Sequence, residues 1–220
     1  MSKDRAEQKK DLLRIMEYTQ MNLDCMWKRL NRKAHFASLI LVYYSMSLII
    51  YSLTLIVFRE YYHEALSSYF NIILSIIVLI YSLENRNARY SERIQAIKSA
   101  LDALKDEKRN LSLDLQEFEV AKKNYEAIIK ETDYREDIDF FATVKLLCKK
   151  NNINWWTVRF WKKKSYTEEQ ERIIGYLNQM NPYYLQFQRA MEMFIHVILT
   201  LIPLAIFFIC ILAKVNGWFR

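Results

Sequence analysis

The stretch Phe36-Ala37-Ser38-Leu39-Ile40-Leu41-Val42-Tyr43-Tyr44-Ser45-Met46-Ser47-Leu48-Ile49-Ile50-Tyr51-Ser52-Leu53-Thr54-Leu55-Ile56-Val57-Phe58 is 23 residues long and carries no charge. As a helix rising about 1.5 Å per residue, it is long enough to cross a hydrocarbon core of roughly 30 Å. Only Arg59-Glu60-Tyr61-Tyr62-His63-Glu64 separates it from residues 65–83, 19 more without charge. The spacing therefore predicts a tight transmembrane hairpin, 36–58 and 65–83. A third apolar block, 193–213, holds one ionisable residue, His196, and has Pro203 at its middle, where a bend is expected; it reads as a third transmembrane helix, with a helix lying at the interface or re-entering as the alternative. The first block begins 35 residues in and is too long for a signal-peptide core, which argues against cleavage.

The 220 residues include only 2 Gly and 2 Pro, far below the usual shares of roughly 7% and 5%. Turn-rich β architectures are thereby nearly excluded, and the expected class is an all-α membrane protein. Charged residues make up 26% of the chain and hydrophobic ones 52%, yet mean hydropathy is only -0.11. Long charged helices thus mask the apolar blocks. Cys25, Cys148 and Cys210 are odd in number and widely spaced, giving neither a disulfide framework nor a zinc motif. His35, His63 and His196 lie at span ends without metal-ligand spacing. With Gly175 and Gly217 the only glycines, a phosphate-binding loop is impossible. Asp137 and Asp139 sit in a charged stretch with no apolar cleft evident. No catalytic, cofactor-binding or metal-binding residue is expected, and an enzyme is disfavoured.

Orientation follows from Lys and Arg placement. Residues 1–33 hold nine of them and the hairpin loop only Arg59, so the N-terminus is expected in the cytoplasm. Residues 1–35 read as an amphipathic cytoplasmic helix. The second span runs on without a breaker into a heptad pattern in 84–130: Ile94, Leu101, Lys108, Leu115, Lys122 and Ile129 fall on one position and Ile97, Leu104, Leu111, Phe118 and Tyr125 on the other, nine of the eleven being apolar or aromatic. A continuous helix there would make a stalk of roughly 54 Å over its 36 patterned residues. Its seam, Ile94, Ile97, Leu101, Leu104, Leu111, Leu115 and Phe118, has two available partners. One is the N-terminal segment, through Leu12, Ile15, Met16, Thr19 and Leu23; the other is a second copy of the chain.

Residues 131–192 are expected to form a small helical cytoplasmic region. The pattern breaks at an acidic turn over 131–137 and resumes as a short amphipathic helix over 138–150. Thr167-Glu168-Glu169-Gln170 has capping-box spacing and starts a helix ending near Met180. Asn181-Pro182 then restarts a helix that runs into the third span. Between them lies Trp155-Trp156-Thr157-Val158-Arg159-Phe160-Trp161-Lys162-Lys163-Lys164. Trp155, Trp156, Trp161, Lys162, Lys163 and Lys164 suit the lipid headgroup level; alternatively the Trp residues pack the small domain, and direct nucleic-acid contact is the third, disfavoured reading.

Within the spans, polar residues recur along stripes. Ser38, Ser45 and Ser52 repeat every seven residues in the first, and Ser68, Asn71, Ser75 and Ser82 share a stripe in the second. Close helix packing explains them plainly, while lining of a water-filled path in an oligomer is the functional alternative.

Trp27-Lys28-Arg29-Leu30-Asn31-Arg32-Lys33-Ala34-His35-Phe36, Tyr43-Tyr44-Ser45, Tyr81-Ser82-Leu83-Glu84-Asn85-Arg86-Asn87-Ala88-Arg89-Tyr90 and Tyr125-Glu126-Ala127-Ile128-Ile129, together with the acidic turn ending at Asp139, resemble SLATT domains. The resemblance is to the fifth subtype and covers roughly residues 10–140. These are bacterial two-transmembrane effector domains associated with nucleotide signalling and antiphage defence; the third apolar block departs from that two-span core. The resemblance implies a multi-pass protein of the bacterial inner membrane that oligomerises and perturbs the membrane, arresting growth, when a partner senses infection. It also implies a co-encoded sensor, nucleotide-second-messenger synthase or reverse transcriptase as partner, besides the chain itself and membrane lipid. The alternative is a non-conducting scaffold that recruits a cytosolic enzyme through its stalk.

Overall fold

The computed structural model describes residues 2–57, 64–132, 136–158 and 166–215. Among them all regular structure is α-helical: α1 Ser2–Val57, α2 Glu64–Asn87, α3 Tyr90–Ser112, α4 Phe118–Glu131, α5 Asp137–Lys150, α6 Glu168–Gln179 and α7 Pro182–Val215. The hairpin loop at 58–63, the middle of the acidic turn (133–135), Trp161, Lys162, Lys163 and Lys164 lie outside the described residues. Contacts divide the chain into two units, Met1–Asn31 with Ser91–Phe187 and Arg32–Tyr90 with Gln188–Arg220.

In the first unit, the single long stalk does not form. Asn87 ends α2 and Tyr90 begins α3, with Arg89 between them at φ +46°. The heptad run itself is cut at Ser112. There Leu115 N–H donates to Asn110 O at 2.9 Å and Asp114 N–H to Leu111 O at 3.4 Å, with Asp114 at φ +55°. This is a Schellman stop, normally closed by glycine. In a chain almost without glycine, aspartate takes the left-handed position because its short polar side chain tolerates it. Glu107 then accepts from Gln116 Nε2 at 2.6 Å and from Asn124 Nδ2 at 3.0 Å, tying α4 back along α3 as an antiparallel hairpin. Leu115, assigned to the seam, is 69% exposed at this turn, and Phe118 and Ile94 are only partly buried.

The partner of the seam is α1. Leu12, Met16, Leu23, Met26 and Leu30 are buried at heptad spacing, and Thr19 in the same row has its Oγ1 3.0 Å from the Tyr125 hydroxyl on α4. Lys9 pairs with Asp114 at the hairpin turn. Ile97, Leu101, Leu104 and Leu111 are therefore covered within one chain, the arrangement of the intramolecular alternative. Ile15, expected on the contact face, is 45% exposed.

Downstream boundaries match their sequence signals. Thr167 Oγ1 accepts from Gln170 N and Gln170 Oε1 from Thr167 N, at 3.4 and 3.1 Å, so the capping box opens α6. Pro182 is the first residue of α7, and Asn181 Oδ1 accepts from Tyr184 N at 3.4 Å. A second Schellman stop ends α5: Asn152 has φ +55° and Ile153 N–H donates to Cys148 O at 2.8 Å. Phe141, Val144, Leu147, Cys148, Ile173, Leu177 and Leu185 form the core shared by α5, α6 and the start of α7. Burying each large apolar side chain contributes about 1.5–3 kcal/mol.

The second unit packs the latter half of α1, α2 and the apolar part of α7 around Ile40, Tyr44, Tyr51, Leu74, Ile206 and Cys210. Among the described residues two helices are long and apolar enough to cross a membrane, α1 within Arg5–Thr54 and α7 within Pro182–Ala213; α2 carries a shorter apolar stretch, Ser68–Leu83. Only 22% and 17% of the apolar windows of α1 and α7 are buried, whereas the core helix of a soluble protein hides most of such a stretch.

Candidate functional site

Pro203 sits inside α7, which stays helical on both sides. Lacking an N–H, it leaves the carbonyl four residues earlier, that of Leu199, without its helical donor. The hydroxyl of the fully buried Tyr44 on α1 donates to Leu199 O at 2.7 Å and replaces the missing bond. Toward the same end of both helices, Phe36 and His196 stack at 3.7 Å between ring centroids, and Lys33 pairs with Glu192 at 3.0 Å. His196 is thus an aromatic packing partner. Farther in, the Tyr51 hydroxyl lies 2.8 Å from Cys210 Sγ.

The polar stripes separate into two kinds. Ser45 donates to Leu41 O at 2.8 Å and Ser75 to Asn71 O at 2.9 Å, the back-bonding that makes hydroxyls cheap in a helix. Asn71 Nδ2 donates to Ser52 Oγ at 3.2 Å, a cross-helix contact of the packing kind. Asn71 Oδ1 is enclosed without a hydrogen-bond partner. Ser38, Ser68, Ser75 and Ser82 are exposed. Ser68, Asn71 and Ser75, with Ile72, Ile76 and Leu79, line an open groove of about 450 Å³ along α2.

In the first unit, the sequence reading missed a buried ion-pair cluster. Arg29 and Asp139 are 5% and 1% exposed. Arg29 Nε and Nη2 donate to Asp139 Oδ1 and Oδ2 at 2.7 and 2.9 Å, and Nη1 donates to Glu136 Oε1 at 2.6 Å. Burial alone opposes the guanidinium charge, but the bonds and charges of Asp139 and Glu136 outweigh it, so Arg29 is held above its ordinary value. The two carboxylates also form the capping box of α5, so one cluster fixes α1 to the start of α5. Nothing distinguishes Arg29 by sequence from the other cations of its basic run.

Trp155 packs edge-on to Phe141 at 5.4 Å, under Lys145 Nζ at 4.6 Å from its ring. Trp156 is half-exposed and lies 5.1 Å from Tyr183, whose hydroxyl donates to Trp156 O at 3.0 Å. Of the expected headgroup contacts, then, Trp155 is a packing residue. Burial pushes the Cys148 thiol up to about 11 and raises that of Cys25, so neither behaves as a reactive thiolate. Among the described residues no three His, Cys, Asp or Glu side chains gather as a metal site.

No protein-family model matches the chain, and no curated protein or solved structure matches it.

Proposed function

We propose that the chain is a membrane effector of a bacterial conflict system, similar to SLATT-domain proteins, that oligomerises in the inner membrane and perturbs it when a partner sensor is triggered. The observation that carries this reading is the outward face of the second unit: α1 and α7 leave most of their apolar windows uncovered, while the Leu199 carbonyl released by Pro203 is satisfied inside by Tyr44. Lipid requires that combination, because it solvates apolar side chains and no backbone polar group. Residues 84–192 and the N-terminus lie in the cytoplasm in this reading, and the partners are a second copy, lipid and a co-encoded sensor, second-messenger synthase or reverse transcriptase. The groove along Ser68, Asn71 and Ser75 is the face a neighbouring copy closes. No residue acts as a catalyst. Induced expression in bacteria, with a potential-sensitive dye, tests the proposal: growth arrest with depolarisation is expected, and a membrane-embedded protein that leaves potential and growth untouched refutes it.

A scaffold is the second reading, favoured by one observation. Leu113, Leu115 and Val120 are 61%, 69% and 47% exposed around the α3–α4 turn, an apolar tip suited to a cytosolic partner. Recruitment of such a partner to the membrane, lost in Leu115→Asp without depolarisation in either case, supports the scaffold over the effector.

A further inference from the structure

We propose that the arginines at one end of the second unit, Arg32, Arg86 and Arg189, form a binding collar for the phosphate of anionic phospholipids. The inference rests on the membrane reading above and adds the lipid class that the protein selects. The three residues come from three different helices. Lys33 of α1 meets Glu192 of α7 at 3.0 Å, and Phe36 stacks on His196, so Arg32 and Arg189 flank one level. The Asn71–Ser52 bond sets the antiparallel register of α2 on α1. Fifteen residues further along α2, Arg86 comes opposite residue 37 of α1, at the same end.

Depth agrees on all three helices. Arg32 precedes the uncharged run at Phe36 by four residues, Arg86 follows its end at Leu83 by three, and Arg189 precedes Met193 by four. At 1.5 Å per residue these are about 5–6 Å beyond the apolar segments, and the headgroup layer on each side of the hydrocarbon is roughly 5–8 Å thick. Arg32 and Arg86 are exposed and Arg189 partly buried. Lys33 is committed to Glu192, so the outward charge is carried by guanidinium groups. Guanidinium presents paired N–H donors that match phosphate oxygens, which an ammonium does not.

The test uses the full-length protein in mixed phosphatidylcholine and phosphatidylglycerol bilayers, extracted with its bound lipid and weighed by native mass spectrometry. Wild type is expected to retain phosphatidylglycerol in preference to phosphatidylcholine. Each of Arg32→Gln, Arg86→Gln and Arg189→Gln should lower that preference about fivefold, from about 1 kcal/mol per charge near the surface. The triple Arg→Lys variant keeps the charge and should fall between wild type and the triple Gln variant. Arg109→Gln on α3 should change nothing. The proposal is overturned if the triple Gln variant, with helicity intact, keeps the wild-type preference, if Arg109→Gln lowers it equally, or if soluble glycerophosphate displaces the lipid as well as phosphatidylglycerol itself does. Alkaline carbonate extraction separates this outcome from failure of the membrane reading: a protein that stays in the membrane without lipid preference sinks only the collar, and one that is washed off sinks both.

Discussion

Tyr44→Phe deletes one oxygen, and Pro203 determines what that costs. In an ordinary helix the Leu199 carbonyl would accept from residue 203, and the tyrosine hydroxyl would be redundant. Here it is the donor at 2.7 Å. Leaving a buried acceptor unsatisfied costs about 1–3 kcal/mol, and side-chain bonds between membrane helices measured by double-mutant cycles average about 0.6 with a maximum near 1.7. A loss of about 1–2 kcal/mol is therefore expected for Tyr44→Phe, roughly a five- to thirtyfold shift in the unfolding equilibrium. Pro203→Ala returns an N–H to the ladder. In that background Tyr44→Phe should cost less than about 0.5 kcal/mol, the same bond now being made within α7. The assay is reversible unfolding of the full chain in mixed micelles, followed by circular dichroism, for the four members of the cycle. Equal cost of Tyr44→Phe in both backgrounds would show that the hydroxyl stabilises something other than the carbonyl freed by proline.

Arg29→Met strands Asp139 in a site where it is 1% exposed, and should cost about 3–5 kcal/mol; Arg29→Met with Asp139→Leu should recover much of this in thermal unfolding, whereas no recovery would argue against a paired cluster. Leu104→Ala, at a fully buried position of the seam, should cost about 2–5 kcal/mol and leave the mass of the detergent-solubilised particle unchanged, since Leu104 is covered within one chain. Asn152→Val, at φ +55°, should lose about 1–2 kcal/mol while Asn152→Gly does not. The Glu17–Lys150 pair lies at 2.9 Å with side chains 38% and 62% exposed. Its hydrogen bond lowers the Glu17 value and raises that of Lys150, so its contribution fades as pH falls through the lowered Glu value or rises through the raised Lys value. Screened by solvent, it amounts to under about 1 kcal/mol, and Lys150→Met should flatten the acid side of a stability–pH curve only slightly.

How much of this was legible in the sequence depends on how far each signal lies from what it specifies. Thr167 with Gln170 and Asn181 with Pro182 act within one helical turn, and α6 and α7 begin where those residues place them. The break at Asp114 was not legible, because the left-handed stop signal read in sequences is glycine, and here aspartate does the work within the apolar run Leu111-Ser112-Leu113-Asp114-Leu115. Heptad spacing on both sides of the turn then counted as one helix what is two. The Arg29–Asp139 pair joins residues 110 positions apart, and neither has a local pattern that marks it as buried. Tyr44 stood between these cases: its partner follows from asking where the carbonyl four residues before Pro203 finds a donor, though only the fold shows that α1 supplies it.

Hydrogen bonding also constrains which polar groups of the second unit could line a water path. A water path needs polar groups that face a lumen and remain satisfied when hydrated. Ser45 and Ser75 already bond to their own backbones and tolerate lipid, water or a neighbouring helix alike, so they decide nothing. Ser52 is engaged by Asn71, which ties it to the packing of α1 on α2. Asn71 is the exception, because its amide has more hydrogen-bonding capacity than Ser52 satisfies and its Oδ1 is enclosed without a partner beside a groove open along α2. An enclosed amide oxygen with no donor costs about 1–3 kcal/mol, and a small rotation of α2 that lets water or a neighbour's hydroxyl reach it would recover much of that.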